Sequence, residues 1–293
     1  MTFETGTTGV NGLEVAWLAA GPAGGPLALC LHGFPDSAYS WRHLLPLLAE
    51  AGYRAVAPFM RGYAPTSVPA DGRYQTGALA ADACALHEAL GGDDRAVIIG
   101  HDWGAPAAYG AAGLAPERWS KVVGMAVPPA GALASGFLTY DQLQRSWYMF
   151  FFQSPLADIV VPMNNLDFID RLWADWSPGY DAARDVTHVK DALRNPANLA
   201  AALGYYRAQF DPSLHDPDLA DGQNAVQSGP TQPTLYLHGD DDGCVGVGLA
   251  KNAMQFLPSG STSHIVEGAG HFLQLEKPDV VNRLILDFLT SSG

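Results

Sequence analysis

Ile98-Ile99-Gly100-His101-Asp102-Trp103-Gly104-Ala105 sets a carboxylate between two glycines, with an apolar run ending just before it and a helical pattern starting just after. Such a stretch reads as strand, sharp turn and helix, the turn lifting one side chain above the edge of a sheet. The glycines are needed because this turn brings strand and helix backbones close together. The helix N-terminus beneath Asp102 favours the charged form of its side chain. An isolated Gly-x-Asp-x-Gly string occurs by chance, and Asp caps many helices. What gives this one a chemical reading is its strand–turn–helix setting and the features elsewhere in the chain.

Working outward, short apolar runs alternate with longer helical patterns. Before the turn come the strand candidates Leu27-Ala28-Leu29-Cys30-Leu31, Tyr53-Arg54-Ala55-Val56-Ala57 and Ala96-Val97-Ile98-Ile99, with helices expected over 41–50 and 78–90. After it come an Ala-rich helix over 103–114 and a sixth strand at Lys121-Val122-Val123-Gly124-Met125-Ala126-Val127. Alternation of this kind predicts βαβ units and a mostly parallel sheet covered on both faces. Asn11-Gly12, inside the opening segment 9–18, signals a hairpin. From 131 to 229 the pattern is aromatic-rich and helical, without strand runs. Strand character returns at Thr234-Leu235-Tyr236-Leu237, followed by a helix over 247–257, a strand over 263–266 and a closing helix over 279–289. The expected organisation is an α/β core formed by 1–130 and 230–293, interrupted after the sixth strand by an α-helical cap, 131–229.

Composition sets outer bounds. The chain has 293 residues, 48% hydrophobic and 16% charged, enough for a sizeable core. A net charge of −14 argues against nucleic acid and anionic membrane surfaces as partners. Cys30, Cys84 and Cys244 are too sparse for a disulfide framework and lack metal-ligand spacing. With neither a signal peptide nor an apolar run of the ~20 residues a membrane span needs, the chain reads as soluble and cytoplasmic. No metal or cofactor is expected.

Aspartate at the turn selects the chemistry. A carboxylate with an unperturbed pKa near ~4 is ionised at neutral pH and needs no base to activate it. Its attack on a saturated carbon gives an alkyl ester that water can cleave, whereas serine would leave a dead-end ether. The base candidate is His271, in the glycine-rich loop Glu267-Gly268-Ala269-Gly270-His271-Phe272 after the last strand. Leu237-His238-Gly239-Asp240-Asp241-Asp242-Gly243 offers three acids to orient it. Asp242 is favoured, because two residues of turn after Asp240 let the chain fold back, leaving Asp240 and Asp241 as turn-forming or solvated. Leu31-His32-Gly33-Phe34-Pro35 follows the first buried strand. The backbone N–H groups of Phe34 and Trp103 are the expected oxyanion hole, with His32 pinning the loop. His43, His87, His188, His215, His238 and His264 read as structural.

These residues resemble the epoxide hydrolases of the α/β-hydrolase superfamily, over nearly the whole chain. The resemblance rests on His32-Gly33-Phe34-Pro35 with Ser40-Trp41-Arg42, on Gly100-His101-Asp102-Trp103-Gly104, on Asp242-Gly243 and on Gly270-His271-Phe272. It implies two steps: Asp102 opens the ring, then water activated by His271 and Asp242 releases a vicinal diol. It also implies two cap tyrosines that protonate the departing oxygen. Trp147-Tyr148-Met149 matches the first of these segments and Gly204-Tyr205-Tyr206-Arg207 the second, giving Tyr148 and Tyr206, the latter with a one-residue ambiguity against Tyr205. Phe34, Trp103, Tyr148 and Tyr206 are then the expected substrate contacts, and the expected partners are a small apolar epoxide and water.

Two other readings remain. A haloalkane dehalogenase shares the Asp nucleophile, the His–acid pair and Trp103, but its halide needs N–H donors, and the position after His32-Gly33 carries Phe34 rather than Asn. A non-catalytic hydrolase-fold receptor would have no use for nucleophile, base and acid together.

Overall fold

The central strands are buried along their whole length, which is why their sequences run apolar rather than alternating. In the computed structural model, which describes residues 3–291, the core strands are β1 (Glu4–Val10), β2 (Leu13–Ala20), β3 (Leu27–Leu31), β4 (Arg54–Pro58), β5 (Val97–His101), β6 (Lys121–Met125), β7 (Thr234–Gly239) and β8 (Thr262–Val266). They form one eight-stranded sheet in the order β1-β2-β4-β3-β5-β6-β7-β8. β1 and β2 are the antiparallel hairpin expected at Asn11-Gly12, both turn residues having positive φ. β2 joins β4 antiparallel, and every pairing from β4 across to β8 is parallel.

Helices α1 (Leu44–Glu50), α2 (Thr76–Ala89) and α3 (Gly104–Leu114) alternate with the strands on the N-terminal side. Helix α1 starts three residues later than the sequence pattern suggests. A separate 3-10 turn, Ala38–Trp41, comes first, capped by Ser37. Pro46 lacks an N–H and fits a helix only within its first turn, where the observed start places it. Helix α3 has no polar face. Ala105, Ala107, Ala108, Ala111 and Ala112 are all fully buried, because α3 packs on the sheet and also against α2.

Between β6 and β7 lie helices alone: α4 (Ala130–Gly136), α5 (Tyr140–Arg145), α6 (Trp147–Phe151), α7 (Ala157–Val160), α8 (Met163–Trp176), α9 (Ala183–Leu193), α10 (Pro196–Phe210) and α11 (Ala220–Ser228). Helix α8 is regular only beyond Leu166, since 164–166 are left-handed. Asn195 caps α10, its side chain accepting from the Ala197 amide, with Pro196 at the first helical position. Helix α11 packs on α2 and α3 and so lies in the layer that covers the sheet.

After β7 come α12 (Val247–Ala250), then beyond β8 α13 (Leu273–Glu276) and α14 (Pro278–Thr290). The helix expected over 247–257 is broken into α12 and a 3-10 turn, Ala253–Phe256. Gly248 and Asn252 are poor helix formers, and the segment is held by Ala250 and Ala253 against Tyr236 instead. Among the described residues, no helix is long and apolar enough to cross a membrane.

The turn at Asp102 requires close backbone contact. A Cβ on Gly100 would lie 2.0 Å from the Gly104 carbonyl oxygen, and one on Gly104 would lie 2.1 Å from that of Leu31. Gly104→Ala is therefore expected to cost about 1–3 kcal/mol or more, whereas Gly24→Ala, where a Cβ meets nothing within 4 Å, should be near neutral. Urea unfolding of the two variants checks this, and equal stabilities would show that the close approach is not required.

Candidate active site

Asp102 stands between β5 and α3 at φ +50°, in the left-handed region that non-glycine residues seldom occupy and that concentrates at functional sites. The backbone is held there by hydrogen bonds on both sides. The Asp102 amide donates to the Met125 carbonyl (3.2 Å) and the Asp102 carbonyl accepts from the Ala105 amide (2.9 Å). The side chain is thereby aimed at the loop after β3, where the Phe34 amide donates to Oδ1 at 2.7 Å. Gly33 has to be glycine for this approach, because a Cβ there would lie 2.2 Å from the same oxygen. Trp103 is the N-cap of α3, so its amide belongs to the unpaired first turn of that helix.

The other carboxylate oxygen, Oδ2, lies 3.5 Å from His271 Nε2. On its far side the imidazole meets Asp242, with Nδ1 to Oδ2 at 3.0 Å. Asp242 Oδ1 accepts from the Cys244 and Val245 amides at 2.7 and 2.9 Å. The three residues thus come together from the turn after β5, the loop after β7 and the loop after β8. Asp240 and Asp241 stay exposed at the rim. Asp240 still has a task, accepting from the Gly268 amide at 2.7 Å and so tying the two loops together. His32 Nε2 accepts from the Met60 amide at 3.0 Å, which fixes the loop carrying Phe34.

Burial penalises the imidazolium form of His271, but Asp242 and then Asp102 outweigh it and raise the pKa to about 10. Asp242 shows the complementary direction. Burial pushes its carboxyl up, and His271 together with the backbone donors holds it below the ordinary value.

Opposite Asp102 stand two buried phenols, Tyr148 from α6 and Tyr206 from α10, with ring centroids 5.5 Å apart. The structure separates Tyr206 from its neighbour. Tyr205 donates its hydroxyl to the Arg61 carbonyl at 2.8 Å and stacks on Tyr74. Tyr206 borders the cavity above Asp102, and its hydroxyl is buried without a partner. Burial, first of all, pushes both phenols well above 10; Cys244 and Tyr206 add to this at Tyr148, and Asp102 adds to it at Tyr206. Both keep their protons at neutral pH. The cavity measures about 280 Å³ and is lined mostly by apolar side chains, among them Trp103, Val127, Leu133 and Met149.

The structure places Phe34, expected as a substrate contact, beside the cavity lining rather than in it. The Phe34 ring is not part of the cavity wall but fully buried, packed edge-on to Tyr206 (5.1 Å) and Phe152 (5.6 Å). Its backbone amide donates to Asp102 while its ring packs on Tyr206.

Other residues escaped the sequence reading. Cys244 borders the cavity, and its Sγ lies 3.3 Å from the Tyr148 hydroxyl. Its position two residues after Asp242 was the available signal. Asp102, Cys244 and His271 each place one ligand atom within 4.8 Å of the others, a spacing a soft divalent ion could bridge. His101 donates from Nε2 to the His271 carbonyl (2.8 Å), and its Nδ1 faces Asp36 at 3.5 Å. The Trp176 carbonyl accepts from the His271 and Gly243 amides. These contacts join sequence-distant segments, so no local pattern marks them.

The family described as the alpha/beta hydrolase fold matches residues 26–278. The chain is 32% identical to the AB hydrolase superfamily protein YfhM of Bacillus subtilis, over 95% of each chain. It is 31% identical to epoxide hydrolase A of Mycobacterium tuberculosis, over 96% of this chain and 95% of that one. In three dimensions it resembles epoxide hydrolase A of Mycobacterium thermoresistibile, with a TM-score of 0.80, 28% identity and 98% of both chains covered.

A raised histidine pKa stabilises the fold fully below the unfolded value of 6.5, and that contribution is lost as pH rises through about 10. The stability advantage of the unmodified protein over His271→Gln should therefore shrink between neutral pH and about pH 11. Denaturant melts across that range measure it, and a constant difference would remove the carboxylates as the source of the shift.

Proposed function

The chain belongs to the alpha/beta hydrolase fold family, and on that premise we propose that it hydrolyses epoxides to vicinal diols through an ester formed on Asp102. The names of its relatives support the substrate class. The observation that carries the reading is the pair of protonated phenols, Tyr148 and Tyr206, on the cavity that Asp102 also borders. A carboxylate facing two proton donors across an apolar space suits a three-membered ether, whose carbon needs a nucleophile and whose oxygen needs a proton. The net charge of −14 also argues against an anionic substrate.

In the first step an Asp102 oxygen attacks a ring carbon, the carbon–oxygen bond breaks, and the departing oxygen takes a proton from Tyr148 or Tyr206. Esterification removes one of the two negative charges that hold His271 protonated. The imidazole passes its proton to the tyrosinate left by ring opening and can then accept one from water, with Asp242 fixing its orientation. Hydroxide attacks the ester carbonyl carbon, and the oxyanion is bound by the Phe34 and Trp103 amides, one such donor typically being worth ~3 kcal/mol. Collapse breaks the bond to the alkyl oxygen, which takes the proton of the attacking hydroxide, so the diol leaves, Asp102 is again a carboxylate and His271 keeps the proton it took from water.

In this reading 131–229 acts as the cap that supplies the tyrosines, anchored through α11, while 1–130 and 230–293 supply the nucleophile, base and acid. All three cysteines are unpaired and buried, which supports a cytoplasmic setting. A haloalkane dehalogenase would share Asp102, His271 and Trp103, but Phe34 gives a halide no side-chain donor and its ring lies outside the cavity.

His271→Gln should still be alkylated and should accumulate the ester, seen as an adduct on the Asp102 peptide by mass spectrometry. A single turnover in ¹⁸O water should label the Asp102 carboxylate and leave the first diol unlabelled; solvent oxygen in that diol would refute the covalent route. Tyr148→Phe should slow ring opening by roughly 10²-fold or more, read as pre-steady-state substrate loss, and an unchanged rate would remove Tyr148 from the mechanism. Bromide release from 1-bromobutane, without diol formation from styrene oxide, would favour the dehalogenase instead.

A further inference from the structure

We propose that the site is built for terminal epoxides carrying a single apolar arm, admitted ring first, an inference that rests on Asp102 being the nucleophile. The lining of the cavity carries it. Along α10 that lining continues from Tyr206 to Gln209 and Phe210, and over 146–152 it takes in Ser146, Tyr148 and Met149 but not Phe152. The wall residues Ala134, Gln209, Phe210 and Gln227 are all exposed, which places the mouth at that end.

The opposite side of Asp102 is filled. Phe34 and Phe152 are both fully buried, and among the described residues neither borders the cavity. Phe152 contacts Phe34 at 5.6 Å, Tyr206 at 5.1 Å and Tyr148 at 5.6 Å between ring centroids. The half-buried Phe168 packs on it at 5.9 Å. Phe34 and Phe152, both in the main hydrophobic core, form an aromatic plug with Phe168 packed against it.

An epoxide placed with its carbon on Asp102 and its oxygen on the phenols has two ring carbons to accommodate. A substituent on one carbon can lie along the open arm. A second substituent, on the other carbon of a trans-disubstituted ring, points the opposite way and meets the plug. Because the packed core yields little to added volume, the second substituent is rejected. Phe152 is the specificity-determining residue, since it borders both phenols and comes from the helical segment rather than the loop that supplies the Phe34 amide.

Two isomers of equal composition and hydrophobicity isolate this effect: 1,2-epoxyoctane and trans-4,5-epoxyoctane. The unmodified enzyme is expected to favour the terminal isomer in kcat/KM by roughly 10²-fold or more. Phe152→Ala should shorten that ratio at least about tenfold by admitting the internal isomer. Phe152→Leu, a milder truncation, is measured alongside so that at least one folded variant reports. Equal kcat/KM values for the two isomers in the unmodified enzyme would overturn the inference, as would a ratio unchanged in every folded Phe152 variant. Should neither isomer react and no ester form on Asp102, the epoxide reading fails and this inference falls with it. Rapid turnover of both isomers would leave that reading intact and overturn this inference alone.

Discussion

Asp102 occupies a backbone conformation that an L-residue adopts at a cost, and the rest of the site is arranged to keep it there. At φ +50° the strand cannot continue and the helix cannot begin earlier, so the side chain stands clear of both. Strain of this kind costs on the order of 1–3 kcal/mol and persists only where the surroundings over-determine it. Here they do. Gly33, Gly100 and Gly104 leave no room for a Cβ, β5 is buried on both faces, and the alanines of α3 are buried against the sheet, α2 and α11. The smallness of the residues around the turn is the reason the carboxylate can reach the Phe34 amide.

The second constraint is electrostatic. Three ionisable groups, Asp102, His271 and Asp242, are buried within a few ångströms of one another, an arrangement costly unless each has partners. Asp242 has two backbone donors and the imidazole, so its charge is satisfied whichever state the nucleophile is in. His271 is held between two carboxylates, and its proton affinity is tied to the charge on Asp102. In the proposed reaction, the geometry that protonates the imidazole while Asp102 is charged would release it as a base once that charge is lost. His101, the Trp176 carbonyl and Asp240 add little charge to the site, but they fix the loops on which this exchange depends.

The order of strands and helices, the opening hairpin and the helical insertion after the sixth strand could all be read from periodicity and turn residues, because these are local properties. The departures have local reasons too, in Pro46 for the start of α1 and in Gly248 and Asn252 for the broken helix after β7. The candidate residues Asp102, Asp242 and His271 were legible as unusual polar residues in glycine-rich loops at strand ends. The choice between Tyr205 and Tyr206 was not. Both lie on one helix among aromatics, and only the direction of each hydroxyl, one towards the Arg61 carbonyl and one into the cavity, separates them.

From the sequence alone follow the class of fold, the carboxylate at the strand–helix turn and the set of residue types able to react, since each is written in spacing and composition over a few residues. Tertiary structure alone decides that the Phe34 ring packs on Tyr206 and Phe152, that Cys244 touches Tyr148 and that His101 holds the His271 loop. Each of these is a contact between segments far apart in the chain, and no local pattern records which distant side chain will fill the space beside it.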